Sequence, residues 1–307
     1  MATAKQRVEQ TEQRLFGRYG LEVGSSTIQI RGPWLQLRVL ETGQGSPIVF
    51  LHGAGEISSQ WAPLWAQLEG FRCFGVDLPG FGLSQEIDYH HTNLREFAVT
   101  VVRRTLDELG LERAPVVGNS LGGAFGLWTA FDQPERISQL ALLGAPDPAV
   151  KGAKVNLPLA TLGVLGVNRF IMNLPVPPLS VNRTMYKLTL GRHAIDRSPD
   201  EIVEVAHHAM DRPTFAPSMT SYMEAVYHVT RPKDRYVLSK EELAKIDVPT
   251  LVVWGEHDAF GGTKIARRLA SNLPDARLEI VGGGHNPWLD HPKKCAALLE
   301  DFLGDHD

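Results

Sequence analysis

Cysteine is nearly absent: Cys73 and Cys295 are the only two in 307 residues. A pair of thiols does not make a disulfide scaffold, and a chain of this length has no need of one. Cys73 lies in an apolar run and Cys295 in an expected late helix, so both read as free thiols of a reducing compartment, with a bond between them left open. Neither charge sign dominates. Lys plus Arg is 31 and Asp plus Glu is 35, a net of −4. That balance excludes the concentrated basic surface a nucleic-acid partner demands. No stretch approaches ~18 uninterrupted apolar residues, so no membrane span is expected. The first residues, Met-Ala-Thr-Ala-Lys-Gln-Arg, are polar and lack the apolar core of a secretion signal, which leaves the cytoplasm as the expected location. HExxH and paired CxxC are missing, and no G-x-G-x-x-G follows the first buried strand, so neither metal nor cofactor is expected.

What is present is a large potential core. The apolar fraction is 43% and the charged fraction 21%, enough to bury a sizeable interior and remain soluble. Residues 4–19 read as a polar helix with a thin apolar stripe of Val8, Leu15, Phe16 and Tyr19, packed outside the core or frayed. Thr27–Arg31 and Leu35–Leu40 alternate apolar and polar, as half-buried edge strands do. Then PIVFL (47–51), RCFGV (72–76), APVV (114–117), LALL (140–143) and TLVVW (250–254) are short continuous apolar runs. Strands buried on both faces read this way and predict a parallel sheet. Helical patterns at about 57–69, 93–110 and 121–133 lie between them, the alternation of a doubly wound α/β sheet. The rhythm breaks at 148–245, where roughly 100 residues stand in place of the ~15 to 30 a crossover needs. This stretch is rich in large apolar residues, with helical patterns near 199–211 and 215–228. It predicts an inserted helical lid on a core made of 1–147 and 246–307, the first 20 residues being a helical extension.

In such sheets ligand chemistry gathers beyond the C-terminal strand ends. After PIVFL comes HGAG, after RCFGV comes DLPGFG, after APVV comes GNSLGG, after LALL comes GAPD, after TLVVW comes GEHD, and after a last strand at 278–281 comes GGGH. The GNSLG at 118–122 matches G-x-S-x-G. The pentapeptide alone recurs by chance in roughly one chain in eight of this composition. Its place between a buried strand and a helix is what makes it informative: Ser120 would occupy a strained turn in which Gly118 and Gly122 allow close packing.

The ordered set HGAG, DLPGFGLS, GNSLGG, WGEHD and GGGHNPW resembles the α/β-hydrolase superfamily, over roughly residues 30–147 and 245–305. The resemblance implies a catalytic triad. Ser120 is the expected nucleophile and His285 the general base, its titration range suited to proton transfer near neutral pH. Asp258 is the expected acid, with Asp147 as runner-up because some relatives carry the acid after the preceding strand. The oxyanion hole would be the backbone N–H groups of Leu121 and Ala54. His52 is expected to order that turn and Asp77 to brace another.

Two enzymatic readings follow. The first is hydrolysis of a carboxylic ester of a small to medium apolar molecule through an acyl-enzyme. The second is carbon–carbon bond hydrolysis, because GNSLGG is similar to the elbow of meta-cleavage product hydrolases. Two departures count against it: Asn286, not Trp, follows His285, and the lid has His207 and His208 where an arginine is expected, leaving Arg169 or Arg183 as substitutes. Dehalogenase and epoxide-hydrolase chemistry would need an aspartate at 120. A ligand-binding receptor on the same fold is a third reading. The expected partner is a small-molecule substrate, and the sequence leaves a homo-oligomer open.

Overall fold

Eight strands form one sheet in the computed structural model, which describes residues 2–32, 34–154, 164 and 166–304. They are β1 (Val23–Ile30), β2 (Leu35–Gly43), β3 (Ser46–Leu51), β4 (Phe71–Val76), β5 (Ala114–Gly118), β6 (Ile137–Leu143), β9 (Thr250–Gly255) and β10 (Ala276–Val281), in the spatial order β1-β2-β4-β3-β5-β6-β9-β10. A separate antiparallel hairpin joins β7 (Tyr227–His228) to β8 (Arg231–Pro232). β1–β2 and β2–β4 pair antiparallel, and every other pair in the large sheet is parallel. The continuous apolar runs are the inner strands: all six residues of β9 are buried, as are the last four of β3 and of β4. β2 differs from the expectation of an edge strand. It pairs on both sides, and β1 forms the edge, because the β1–β2 hairpin folds β2 onto β4.

Helices cover both faces of the sheet. α1 (Ala4–Tyr19) opens with a capping box between Thr3 and Gln6 and ends on Gly20 in the left-handed region, so both ends have their free backbone groups satisfied. It does not fray. Its buried side includes Thr11 and Glu12 besides the apolar stripe. Arg38 Nη2 lies 2.6 Å from Glu12 Oε2, and Arg38 Nη1 lies 3.4 Å from Asp77 Oδ2. This buried triad ties the extension to β2 and to the loop after β4. α2 (Leu94–Glu108) and α3 (Ser120–Asp132) match the expected segments. The expected helix at 57–69 is instead a 3-10 turn, Ser58–Trp61, followed by one α turn, Ala62–Trp65. Residues 58–65 are buried all round. The segment is therefore shaped by packing, with Trp61 stacked on Trp288 at 3.9 Å, and not by a helical period.

Between β6 and β9 lie α4 (Val167–Met172), α5 (Leu179–Thr189), α6 (Arg192–Arg197), α7 (Asp200–Met210) and α8 (Phe215–Val226). Four of the apolar residues of this stretch, Leu157, Leu159, Leu162 and Leu165, lie outside the described residues. α9 (Thr263–Asn272) and α10 (Pro292–Gly304) complete the chain. Among the described residues no helix is long and apolar enough to cross a membrane. Cys73 and Cys295 are both free and buried, and burial pushes each thiol up to about 12.

Candidate active site

Ser120 sits where β5 turns into α3, with φ at +50°, one of two non-glycine residues with positive φ among those described. The turn is imposed by its neighbours. A Cβ on Gly118 would lie 2.6 Å from the Gly122 carbonyl oxygen, and one on Gly122 would collide with the Leu51 carbonyl. Both obstacles are backbone and cannot move aside. The Asn119 N–H donates to Leu51 O at 3.0 Å, and the Gly122 N–H to His52 O at 3.1 Å, fastening the turn to the end of β3. The Asn119 side chain donates from Nδ2 to Leu143 O at 2.6 Å and to His285 O at 3.1 Å. The asparagine before the serine thus fixes the elbow to β6 and to the histidine loop.

His285 and Asp258 are brought together from the loops after β10 and β9. His285 Nδ1 donates to Asp258 Oδ2 at 2.9 Å, with Oδ1 at 3.0 Å. The carboxylate is itself oriented: Oδ2 accepts the Ala145 N–H at 2.9 Å and Oδ1 the Phe260 N–H at 2.8 Å. Both side chains are buried. Burial opposes a charge on the imidazole, but Asp258's charge and hydrogen bond, joined by Glu56 and Asp147, outweigh it and raise the His285 pKa. Nε2 has no hydrogen-bond partner among the described residues, and Ser120 lines the same cavity. The Ser120–His285 hydrogen bond is not formed here; such bonds are commonly long in unliganded sites and tighten with substrate.

Asp147 is near this pair but bonded elsewhere. Its Oδ2 accepts the Tyr227 hydroxyl, and its Oδ1 is buried without a partner among the described residues. Burial, only partly countered by Tyr227 and His285 and reinforced by Asp258, pushes its carboxyl up to about 6. Of the two aspartates, Asp258 is the one hydrogen-bonded to His285.

The turn after β3 carries the other expected groups. The Leu78 N–H donates to His52 Nε2 at 3.0 Å, which puts the ring proton on Nδ1, 2.7 Å from Gly53 O. His52 therefore staples its own turn to the loop after β4. Asp77 braces that loop as expected, accepting the N–H groups of Ser58 at 2.9 Å and Leu83 at 2.8 Å. The amides of Leu121 and Ala54 donate to no protein acceptor among the described residues.

A cavity of about 310 Å³ opens over Ser120. Its walls come from the turn after β3, from α4, α5, α7 and α8 and from the loop after β9, with Met172, Met185, Met210, Met219, Phe215 and Phe260 prominent. The polar side chains in the lining are Glu56, Ser120, Asn182, Tyr186, Thr189 and His285, and none of the described lining residues is lysine or arginine. The arginines considered as substitutes are spent elsewhere. Arg169 pairs with Glu224 at 3.0 Å, and Arg183 with Asp200 while donating to Ile195 O at 2.9 Å. His207 Nδ1 accepts from Asn182 Nδ2 at 2.7 Å and reaches the cavity only through it. Sequence reasoning did not find Glu56 or Asn182, and it named Asn286 only as a departure after His285. Glu56 follows Gly53 by three residues and resembles any acid at a turn; only its burial marks it out.

A family model described as alpha/beta hydrolase fold matches residues 46–292. A 2-hydroxy-6-oxononadienedioate/2-hydroxy-6-oxononatrienedioate hydrolase of Paraburkholderia phymatum is 29% identical over 283 residues, covering 89% of this chain and 92% of its own. A 2-hydroxymuconate semialdehyde hydrolase of a Pseudomonas strain is 30% identical over 285 residues, covering 87% and 90%. Among solved structures, the carboxylesterase CesB of Bacillus subtilis superposes with a TM-score of 0.77 at 20% identity, covering 99% of each chain. The model match spans most of the chain and both relatives span nearly all of it: this protein belongs to the α/β-hydrolase fold family and is a hydrolase.

Proposed function

We propose that the chain is a serine hydrolase that cleaves a carboxylic ester of a neutral, apolar acyl compound through an acyl-enzyme on Ser120. The observation that carries this reading is the cavity: Ser120 and His285 share it, its walls are apolar, and its described lining holds no cation. In the first half-reaction Ser120 Oγ attacks the ester carbonyl while His285 Nε2 takes its proton. Asp258 keeps the Nδ1–H tautomer and stabilises the imidazolium. The amides of Leu121 and Ala54, without acceptors among the described residues, receive the carbonyl oxygen as it becomes negative. The tetrahedral intermediate collapses, and the alcohol leaves with the proton from His285. Water then repeats the sequence on the acyl-enzyme, and the carboxylic acid departs. The helices between β6 and β9 act as the lid and supply the acyl pocket.

A second reading has its own support. The curated relatives are named for dienedioates and for a muconate semialdehyde, and those names favour carbon–carbon hydrolysis of a ring-fission product over ester cleavage. Such substrates carry carboxylates, and a carboxylate buried in this cavity would meet Glu56 and, among the described lining residues, no arginine.

A series of p-nitrophenyl esters from acetate to dodecanoate, run beside a 2-hydroxy-6-oxo-dienoate, separates the two. Each buried methylene adds about 0.8 kcal/mol at most, so kcat/KM should rise by up to about fourfold per carbon and fall once the cavity is full. A dienoate turned over with higher kcat/KM than every ester would put the second reading first.

A further inference from the structure

Glu56 takes no part in the proton transfers just described, yet it is the one carboxylate among the described residues lining the cavity. It is 5% exposed. Oε2 accepts the Gly53 N–H at 3.0 Å, and Oε1 accepts Asn286 Nδ2 at 2.8 Å. Both oxygens act as acceptors, the pattern of an ionised carboxylate. Both donors are neutral, and among the described residues no lysine or arginine pairs with it. A buried charge without a counter-ion acts over a long distance, because little solvent screens it. The charge of Glu56 reaches two other lining residues: it helps to raise the pKa of His285 and, after burial, that of the Tyr186 hydroxyl.

An acyl group entering this cavity therefore meets one fixed negative charge and, among the described lining residues, no lysine or arginine. For a neutral chain this matters little. For a carboxylate it adds like-charge repulsion to the loss of hydration. We propose that Glu56 sets the charge selectivity of the cavity, admitting neutral acyl groups and rejecting anionic ones. The inference rests on the esterase reading for its principal readout. Its rival is a purely structural role, in which Glu56 does no more than tie the turn at Gly53 to the loop at Asn286.

Glu56→Gln separates the two. Glutamine keeps an acceptor for the Gly53 N–H. Its new amide group faces Asn286, whose Oδ1 is buried without a partner among the described residues; turning the Asn286 amide over supplies the missing acceptor. The charge is lost and both ties survive. The full chain is assayed with p-nitrophenyl butyrate and with mono-p-nitrophenyl succinate. The unsubstituted protein should favour the butyrate by about a hundredfold in kcat/KM, and the variant should narrow that ratio about tenfold, as expected when a like-charge contact is removed. The acid limb of the butyrate pH profile should also move to lower pH, because His285 loses one of the charges that raise its pKa. A structural role alone would slow both esters together and leave the ratio and the limb in place; that outcome overturns the proposal.

Should the variant turn over neither ester, binding decides. Tryptophan-fluorescence titration of Ser120→Ala, with and without Glu56→Gln, would use 4-phenylbutyrate and 4-phenylbutyramide. A fall of about tenfold in the anion-to-amide Kd ratio on losing the Glu56 charge supports the proposal, and an unchanged ratio refutes it. Failure of the unsubstituted chain to hydrolyse any ester would sink the esterase reading, while the same titrations would still decide the role of Glu56.

Discussion

The two sides of the cavity are built by different means. On the sheet side, groups are placed by main chain: Ser120 by a left-handed turn between two glycines, Asp258 by the amides of Ala145 and Phe260, His285 by a loop whose own N–H donates to Leu190 O at 2.9 Å. On the helical side, between β6 and β9, the wall is mostly side chain, and four methionines contribute to it. Methionine is unbranched and adapts to the shape beside it. The proposed chemistry is thus held mainly by main chain, and the fit by adaptable side chains. Substitution on the first side should abolish or break; on the second it should retune.

The largest effects are expected at the proposed triad. Ser120→Ala should lower kcat by about 10⁴-fold or more with the thermal midpoint kept, and Asp258→Asn should cost about 10³ to 10⁴. Fluorophosphonate labelling that persisted in Ser120→Ala would move the nucleophile elsewhere. Next comes the turn itself. Gly122→Ala adds a Cβ that collides with the Leu51 carbonyl, and the obstacle is a strand backbone. A loss of about 3 kcal/mol or more in urea unfolding, or failure to fold, is expected. Near-normal stability would show that the sheet side yields after all.

The smallest effect sharpens the comparison, since Asp147 belongs to the sheet side but is bonded to Tyr227 of the helical side. Asp147→Asn should leave kcat within about threefold, because triad acids alone carry the large penalty. If this variant lost about 10³-fold while Asp258→Asn lost little, the acid would be Asp147. Its signature should be stability instead. The folded pKa of Asp147 is raised, to about 6. The native state then holds a proton that the unfolded chain has already released, so stability is complete below the unfolded value and falls as pH rises to about 6. Asparagine does not ionise and still offers an oxygen to Tyr227. Between pH 4 and 7 the variant should therefore lose less stability than the parent, by about 3 kcal/mol at most for a shift of this size. Parallel stability curves would mean that the carboxyl is not perturbed.

Much of the sheet side could be read from the chain. β3, β4, β5 and β9 were visible as apolar runs because parallel strands are covered on both faces. Ser120, Asp258 and His285 stood out because each follows an expected strand within about four residues, with glycine between, though Asp147 follows one in the same way. On the helical side, little more was legible than that the stretch between β6 and β9 bears helices. That Arg169 is bound to Glu224 and Arg183 to Asp200 could not be read, since ion pairs across 55 or 17 positions leave no local pattern. The failure at 57–69 has another cause. Its apolar residues are buried on every side, so no period remains to distinguish a helix from a packed turn. α1 was found by its pattern, but Glu12 was not recognised as a core residue, because a buried acid is visible only with its partner, Arg38.

By itself the sequence determined the sheet, the elbow and the serine and histidine proposed to react, because each depends on a few neighbours along the chain: an apolar run, a glycine without a Cβ, a serine between them. Only the tertiary structure decided which aspartate reaches His285, that Arg169 and Arg183 are paired away from the cavity, and that Glu56 stands in its wall. Those outcomes depend on distances between residues far apart in the chain, and a carboxylate's influence is fixed by burial and by the charges around it, not by its neighbours in sequence.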